Sequence, residues 1–270
     1  MLSCCSHILL KTASARKLAD YVLERQKPSG GFGLTPRLPA TLEDTYYAVR
    51  ILEILGQEEV LNQTPLYVSQ QEPEISRGVK MVYALLYLRQ KFHLPMGKPL
   101  LLNMDRIPSL EEAYYWRKIA EILNNSTPPL LRCPNDLHKL SLPPHFIIKD
   151  LHYYLELKSG HLTSLELAYW AKWVQACECP DGGFGFKPGT TSFMDNVLPA
   201  LEIYRIIGDH PANRGKIIDF ILSCQTRVGG FARKSGGVAF LESSFQAVKS
   251  LRLLGQIPDP KTSLEDINKI

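Results

Sequence analysis

The first quarter of the chain contains two stretches in which apolar residues recur at helical spacing. In ARKLADYVLERQ the apolar positions on one face are Leu18, Tyr21 and Val22. In the second stretch, roughly TLEDTYYAVRILEIL, they form a longer stripe of Leu42, Tyr46, Val49, Leu52 and Leu55. The first run stops at Pro28 and a glycine pair, and the second stops at Gly56. This pattern predicts two amphipathic helices joined by a glycine loop.

This unit of helix, glycine loop and helix recurs along the chain. Three segments align without gaps: Ala15–Gly56, Leu167–Gly208 and Arg214–Gly255. The first and last agree at about 15 of about 42 positions. Each segment carries a Gly-Gly-Phe loop, then an acid, an apolar helix and a closing glycine. Similarity at fixed register predicts an architecture built from structural repeats.

Weaker copies fill the region between the first two clear repeats. LEEAYYWRKIAEILN at Leu110–Asn124 follows LEDTYYAVRILEILG at Leu42–Gly56 almost residue for residue, and VKMVYALLYLRQKF at Val79–Phe92 resembles the same helix. The loops at Gly182 and Gly229 lie 47 residues apart. This period predicts about six helix pairs that cover nearly the whole chain, with residues 1–270 forming one domain.

Composition excludes several classes of protein. The 270 residues are 45% hydrophobic and 21% charged, which is typical of a globular chain and too apolar for disorder. No apolar run approaches the roughly 18–20 residues that a membrane span needs. The 31 basic and 27 acidic residues are spread along the chain, which argues against a nucleic acid partner. Six irregularly spaced cysteines favour a reducing cytoplasm over a disulfide framework.

The chain resembles the α/α-toroid superfamily of protein prenyltransferase β subunits and squalene or terpene cyclases. The resemblance lies in the repeated Gln-x-x-x-Gly-Gly-Phe loop, followed by an acid and an apolar helix that ends in Leu-Gly. It implies an all-α toroid of about six helical hairpin repeats, in which inner helices are wrapped by outer helices. The central cavity would be lined by aromatic residues and accept an isoprenoid or isoprenoid diphosphate. It also implies an α-subunit-like protein partner. Candidate lining residues, for which helix packing is the alternative role, are Tyr46, Tyr47, Tyr115, Trp116 and Phe245.

The resemblance further implies a zinc site, which this sequence matches at one of three positions. Protein prenyltransferases hold zinc with an Asp-x-Cys pair near the start of an inner helix and with a later histidine. Asp195 matches the aspartate, but Val197 and Phe245 stand at the other two positions. The cyclase motifs Asp-x-Asp-Asp and Asp-Asp-x-x-Asp are absent, and the nearest acidic pair is Glu43-Asp44. We therefore predict no cofactor, with magnesium as the alternative.

Repeated charged residues are the remaining candidates for chemistry. Acids at or near the starts of the inner-type helices are Glu43, Asp44, Glu111, Asp195 and Glu242. Stabilisation of the helix N-termini is one role for them. A catalytic role is the alternative for Asp195, Glu43, Asp44 and Glu242. The loops after Gly-Gly-Phe carry the bases Arg37, Lys187, Arg233 and Lys234. The resemblance implies that an Arg and a Lys in this loop bind the diphosphate, and solvated loop charge is the alternative.

Cysteine and histidine spacing gives no metal site. Cys177, Cys179 and Cys224 lie near glycine loops, but Cys-x-Cys is a poor match to the usual zinc pair, so buried thiols are favoured. The sequence leaves open whether His152 or another histidine faces the cavity.

These observations lead to one functional prediction and one alternative. We predict a prenyltransferase-like or terpene-cyclase-like protein that binds an isoprenoid or its diphosphate in a central cavity and transfers or cyclises the prenyl group. The alternative is a non-catalytic lipid-binding or protein-interaction toroid that lacks the catalytic motifs.

Overall fold

The computed structural model describes residues 12–73, 78–97, 109–124 and 140–258. These ranges contain the helices α1 (Thr12–Leu23), α2 (Leu42–Leu55), α3 (Thr64–Ser69), α4 (Val79–Lys91), α5 (Leu110–Asn124), α6 (Ile148–Leu157), α7 (Ser164–Ala176), α8 (Met194–Ile207), α9 (Arg214–Ser223) and α10 (Leu241–Leu253). A 3-10 helix covers Glu58–Leu61, and the short strands β1 (Phe32–Gly33) and β2 (Ala40–Thr41) pair antiparallel. Across these ranges, no helix is long and apolar enough to cross a bilayer.

Six helices form a closed inner ring. In chain order they are α2, α4, α5, α6, α8 and α10, and each packs against the next. The ring closes because α10 packs against both α8 and α2. Side chains such as Val49 of α2, Val197 of α8 and Val248 of α10 are fully buried in one continuous core. The predicted all-α toroid is confirmed.

Four outer helices cover the ring within the described ranges. α1 packs against α2, α3 against α4, α7 against α8 and α9 against α10, so each outer helix precedes its inner partner in the chain. One amphipathic pair cannot bury its own apolar faces, which is why the pairs stack side by side. The outer helices that the repeat period predicts ahead of α5 and α6 fall largely on residues 98–108 and 125–139, outside the described residues.

Glycine loops join neighbouring repeats. Gly229 has a φ of 98° and lies so close to α1 that a Cβ atom there would be 2.1 Å from the carbonyl oxygen of Lys17. Gly30 approaches the carbonyl oxygen of Gln63, directly before α3, in the same way. Glycine alone tolerates both the positive φ and the close approach. Because Lys17 belongs to the first repeat and Gly229 to the last, this contact helps to close the ring.

The phenylalanine of each glycine loop is buried. Phe32 and Phe231 are fully buried, and their backbone N–H groups donate to hydroxyls in the first turn of an inner helix. Phe32 donates to Thr45 Oγ1 at 2.9 Å, and Phe231 donates to Ser244 Oγ at 2.8 Å. These bonds fix each loop against the N-terminal end of its inner helix.

α2 begins and ends where the sequence pattern predicted. Thr41 precedes the helix, and its Oγ1 accepts the backbone N–H of Asp44 at 3.0 Å. The Thr41 hydroxyl in turn donates to the Asp44 carboxylate at 2.7 Å. Gly56 follows the helix with a φ of 68°, which suits glycine at this position. Asp44 therefore stabilises the start of α2.

Candidate functional site

The inner ring encloses a central cavity. Its main part has a volume of about 500 Å³ and is lined by all six inner helices. The aromatic side chains of this wall are Tyr46, Tyr47, Tyr83, Tyr114, Tyr115, Tyr153, Phe186, Phe193 and Phe245. A second part, of about 400 Å³, lies toward the C-terminal ends of the inner helices. The residues that line both parts are Tyr83, Tyr114, His152, Glu202 and Lys249.

A ring of charged side chains surrounds the N-terminal end of this cavity. This mouth ring contains the second residue of every inner helix: Glu43, Lys80, Glu111, Lys149, Asp195 and Glu242. Lys80 Nζ lies 3.1 Å from Glu43 Oε1 and 3.3 Å from Glu242 Oε1. Lys149 Nζ lies 2.9 Å from Glu111 Oε1. The side chains of neighbouring inner helices therefore meet at the same level.

The two lysines of the mouth ring were missed by the sequence reasoning, whereas its four acids were predicted. Helix N-termini favour acids and disfavour cations. Lys80 and Lys149 are thus held by the neighbouring carboxylates and not by their own helices. The signal was present in the sequence, because Val79-Lys80 and Ile148-Lys149 occupy the same helix position as Leu42-Glu43.

An aromatic belt lies about one helical turn below the mouth ring. Its members follow the charged positions by three or four residues: Tyr46, Tyr47, Tyr83, Tyr114, Tyr115, Tyr153 and Phe245. Ring centroids of neighbouring helices are 6.1 Å apart for Tyr46 and Tyr83 and 5.4 Å apart for Tyr83 and Tyr115. Tyr114 stacks on Tyr153 at 4.6 Å. The cavity wall therefore changes from charged to aromatic within about 6 Å along each helix.

A second set of charged side chains lies seven residues after the mouth-ring residue of each inner helix, or about 10 Å further along the helix. This inner charge ring comprises Arg50, Lys118, Glu156, Glu202 and Lys249, and Tyr87 occupies the sixth position. Lys249 Nζ lies 2.8 Å from Glu202 Oε1, and Lys118 Nζ lies 4.0 Å from Glu156 Oε2. These residues were not predicted from the sequence.

Glu202 is ionised although it is only 7% exposed. Burial opposes ionisation, but Lys249 and Arg205 outweigh it and lower the pKa of Glu202 to about 2. Arg205 Nε donates to this carboxylate at 2.7 Å. The ion pair with Lys249 joins α8 to α10, whereas the pair with Arg205 lies within α8.

Arg50 covers part of the aromatic belt. Its guanidinium carbon lies 4.5 Å from the ring centroid of Tyr87, 5.4 Å from that of Phe245 and 5.9 Å from that of Tyr46. The same side chain forms an ion pair with Glu53 at 3.1 Å. A cation of the protein itself therefore already interacts with these aromatic rings.

His152 lies between the two parts of the cavity and is 9% exposed. Its ring centroid is 5.5 Å from those of Tyr114 and Tyr153. Burial lowers the pKa of His152 to about 3, so the imidazole is neutral at physiological pH. The question that the sequence left open is answered for this histidine, which does face the cavity.

The four predicted catalytic acids come together at the mouth. A recess of about 400 Å³ is lined by Glu43, Asp44, Asp195 and Glu242, together with Arg233. Asp195 forms an ion pair with Arg233. Burial opposes ionisation of Glu242, but the charge of Lys80 and a hydrogen bond from Tyr47 outweigh it and lower the pKa of Glu242. Burial raises the pKa of Asp44.

The structure separates the four bases predicted for diphosphate binding. Arg233 lines the cavity, whereas Arg37, Lys187 and Lys234 are exposed and do not line it. Lys187 Nζ instead lies 5.7 Å from the ring centroid of its neighbour Phe186. The bases that reach the cavity from the inner helices are Arg50, Lys80, Lys149 and Lys249.

Four of the five predicted aromatic residues line the cavity. Tyr46, Tyr47 and Phe245 meet across α2 and α10, with centroids of Tyr47 and Phe245 5.6 Å apart. Tyr115 lines the same cavity. Trp116 is 5% exposed and packs with apolar side chains of α4 and α5, away from the cavity.

The residues at the zinc positions of protein prenyltransferases do not fit zinc. Val197 and Phe245 offer no ligand atom. Within the described ranges, no group of three or more His, Cys, Asp or Glu side chains could hold a metal ion. Burial raises the pKa of Cys177 to about 12, and Cys224 is 1% exposed. Both thiols are buried, as the sequence favoured.

The repeat, the closed ring and the central cavity agree with one family comparison. The model of the prenyltransferase alpha-alpha toroid domain matches residues 1–79 and 145–269. A search of curated proteins returned no match. The family match covers the clear repeats and most of the inner ring. The chain belongs to the prenyltransferase alpha-alpha toroid family.

Proposed function

We propose that the central cavity binds a prenyl diphosphate, with its hydrocarbon chain in the aromatic belt and its diphosphate at the mouth ring. The observation that supports this proposal is the change of the wall from charged to aromatic along one cavity. Aromatic side chains provide apolar surface for an unsaturated chain. Lys80, Lys149 and Arg233 line this cavity and provide donors for phosphate oxygens.

The acids of the mouth ring influence how a diphosphate binds. Lys80, Lys149 and Arg233 are each paired with a carboxylate, which a diphosphate has to displace. The released acids keep the favourable field of their helix N-termini. Because the acids outnumber these cations, we expect Mg²⁺ to strengthen binding, since one or two carboxylates and phosphate oxygens suffice to hold it.

Transfer or cyclisation of the prenyl group, with Asp195, Glu43, Asp44 or Glu242 as acid or base, is the catalytic form of this proposal. A lipid-binding toroid without catalysis is the second candidate, and the position of Arg50 favours it. A developing carbocation needs free ring faces, and Arg50 already covers several and repels a second cation. Release of inorganic diphosphate from geranyl diphosphate, with thiol or amine acceptors present, supports the catalytic form. Binding of geranyl diphosphate without release of inorganic diphosphate supports the lipid-binding toroid.

The α-subunit-like partner and the cytoplasmic location stay predictions. Size-exclusion chromatography of the protein purified from its native source tests the first, because a stable partner co-elutes. Cell fractionation tests the second.

Titration calorimetry with geranyl diphosphate, with and without Mg²⁺, tests the binding proposal. The double substitution Lys80→Met, Lys149→Met should weaken binding at least about tenfold, because a hydrogen bond to a charged group contributes roughly 1.5–3 kcal/mol. Lys172→Met is the control, since Lys172 is exposed on α7 outside the cavity. A larger loss in Lys187→Met, Lys234→Met would favour the bases predicted from the sequence. Absence of binding by the wild-type protein overturns the proposal.

A further inference from the structure

We propose that the ligand of this cavity is short and polar at both ends, with a hydroxyl group opposite its diphosphate. The inference rests on the proposed function. It adds the length of the ligand's hydrocarbon chain and the chemistry of the end opposite the diphosphate. Its basis is the position of the inner charge ring relative to the mouth ring.

The aromatic section of the cavity is short. Glu43 and Arg50 on α2, like Asp195 and Glu202 on α8, are seven residues apart, which corresponds to at most about 10 Å along the ring axis. An extended chain gains roughly 1.2 Å per bond, since three backbone bonds span up to about 3.6 Å. About eight bonds, the backbone of two isoprene units, therefore reach from one charged ring to the other.

A longer chain meets an unfavourable environment. Beyond the aromatic belt its carbon atoms would contact Arg50, Glu202 and Lys249, all of which line the cavity. Burying ionised groups against hydrocarbon without compensating polar partners is costly. A ligand that carries its own polar group at this depth avoids that cost.

Arg50 has donors available for such a group. Among the described residues its guanidinium makes one hydrogen bond, from Nη1 to the hydroxyl of Tyr46 at 3.4 Å. Nε is buried and has no hydrogen-bond partner, although it lies 3.1 Å from Glu53. A guanidinium carries five N–H donors. Because helical side chains point toward the helix N-terminus, Arg50 reaches the level of Tyr46 and Phe245 in the aromatic belt.

Two further polar groups in the same wall lack partners. His152 is more than nine-tenths buried and makes no hydrogen bond to another described residue. Gln246 Oε1 is buried without a partner and belongs to a residue that lines the cavity. Since buried polar groups are nearly always hydrogen-bonded, Gln246 Oε1 points to a missing partner, and the imidazole of His152 is a second group in this wall that can bind one.

A hydroxyl group matches the hydrogen-bonding chemistry of each of these three groups. It accepts from the guanidinium of Arg50 or an imidazole N–H, and it donates to a free imidazole nitrogen or to Gln246 Oε1. A plain hydrocarbon end provides neither a donor nor an acceptor. The cavity is thus better suited to a hydroxylated chain of two isoprene units than to an unmodified or longer chain.

Titration calorimetry on the full chain can test both parts of the inference. The probes are geranyl diphosphate, its ω-hydroxy derivative and geranylgeranyl diphosphate. We expect the ω-hydroxy derivative to bind about tenfold more tightly than geranyl diphosphate, the effect of one hydrogen bond to a charged group. Geranylgeranyl diphosphate should bind at least about tenfold more weakly.

Substitutions assign the preference to particular residues. Arg50→Met should bind the plain and hydroxylated compounds about equally. His152→Phe keeps an aromatic ring between Tyr114 and Tyr153 and should reduce the preference as well, which makes it the second variant if Arg50→Met does not fold. Lys172→Met is the control and should keep the wild-type preference.

The outcomes separate this inference from the proposed function. Equal binding of geranyl diphosphate and its hydroxy derivative, or tighter binding of geranylgeranyl diphosphate, overturns the inference and leaves the proposed function intact. Water then satisfies His152 and Gln246. Absence of binding by all three diphosphates overturns both. A hydroxyl preference that persists in Arg50→Met and in His152→Phe overturns the assignment to these residues.

Discussion

The hydroxyl of Tyr47 on α2 donates a hydrogen bond of 2.7 Å to Glu242 Oε1 on α10 and so joins the first repeat to the last. Lys80 Nζ lies 3.3 Å from the same oxygen, which makes Glu242 a contact point of three inner helices. Tyr47 is 5% exposed, so water has little access to this bond. Ring closure therefore depends on a shielded polar contact as well as on apolar packing.

Replacing Tyr47 by Phe removes only the hydroxyl. The free energy of unfolding should fall by roughly 1.5–3 kcal/mol, because the lost hydrogen bond involves a charged group. Urea unfolding measures this change. Tyr169→Phe is the matched control, since Tyr169 is 58% exposed on α7, and its effect should stay within about 0.5 kcal/mol. Equal losses in the two variants would contradict a role of Tyr47 in ring closure.

The approach of Gly229 to α1 gives a second test of closure. In Gly229→Ala the new Cβ would lie 2.1 Å from the carbonyl oxygen of Lys17, so the loop and α1 have to separate. Gly236 also has a positive φ, of 75°, but a Cβ there meets nothing within 4 Å. Gly236→Ala should therefore cost only the backbone strain, about 1–2 kcal/mol.

The difference between these two variants isolates the contact with α1. We expect Gly229→Ala to lower the free energy of unfolding by at least about 2 kcal/mol more than Gly236→Ala. Urea unfolding of both proteins under the same conditions gives the comparison. If Gly229→Ala lowers the free energy of unfolding no more than Gly236→Ala does, the loop can move away from α1 without loss of stability. The contact then does not hold the ring closed.

The fold was predictable because each repeat contains its own boundaries. The Gly-Gly-Phe loop needs backbone freedom at Gly229 and Gly30, where the next outer helix comes close. Gly56 ends α2 in a left-handed conformation that few other residues adopt. These requirements are local, so they are visible in the sequence without knowledge of the ring.

The site was predictable only in part, because its layers exist only once the ring is closed. The acids at the inner-helix starts follow from local helix electrostatics. Lys80 becomes part of the mouth ring through Glu43 and Glu242, which lie 37 and 162 residues away in the chain. Arg50 belongs to the inner charge ring only because neighbouring helices pack in register.

Burial of His152 should make stability depend on pH. Its pKa is about 3 in the folded protein and 6.5 when unperturbed, because burial disfavours the imidazolium. The unfolded chain takes up a proton below pH 6.5 that the folded protein does not. The contribution of His152 to the free energy of unfolding is therefore complete above pH 6.5. It is lost progressively as the pH falls from 6.5 to about 3. At about pH 5, roughly 2 kcal/mol of the unfolding free energy should be lost.

His152→Phe provides the comparison, because phenylalanine does not titrate. Urea unfolding at neutral pH and at about pH 5 should give a smaller pH effect in this variant, by roughly 2 kcal/mol. Protonation of Glu202 also lowers the free energy of unfolding, but only as the pH falls from 4.5 to about 2. A measurement at about pH 5 therefore reports the effect of His152 and not that of Glu202. An identical pH dependence in wild type and variant would show that His152 is not the responsible group.

Tyr115 and Trp116 are neighbours on α5 whose side chains point about 100° apart around the helix axis. Their types do not reveal which one faces inward, and both were predicted to line the cavity. In the closed ring Tyr115 lines it beside Tyr83, whereas Trp116 is buried with Val79 and other apolar residues. The two residues should therefore differ in what they contribute to binding and to stability.

Substituting leucine at each position separates these contributions. Tyr115→Leu removes a ring from the cavity wall and should weaken binding of geranyl diphosphate about three- to tenfold. Trp116→Leu should leave the affinity of the folded protein unchanged but lower the free energy of unfolding by about 3 kcal/mol, because it opens a void in a packed cluster. Calorimetric titration and urea unfolding of both variants provide the measurements. A loss of affinity in Trp116→Leu with unchanged stability would mean that Trp116 contacts the ligand, and the orientation of α5 in the ring would have to be revised.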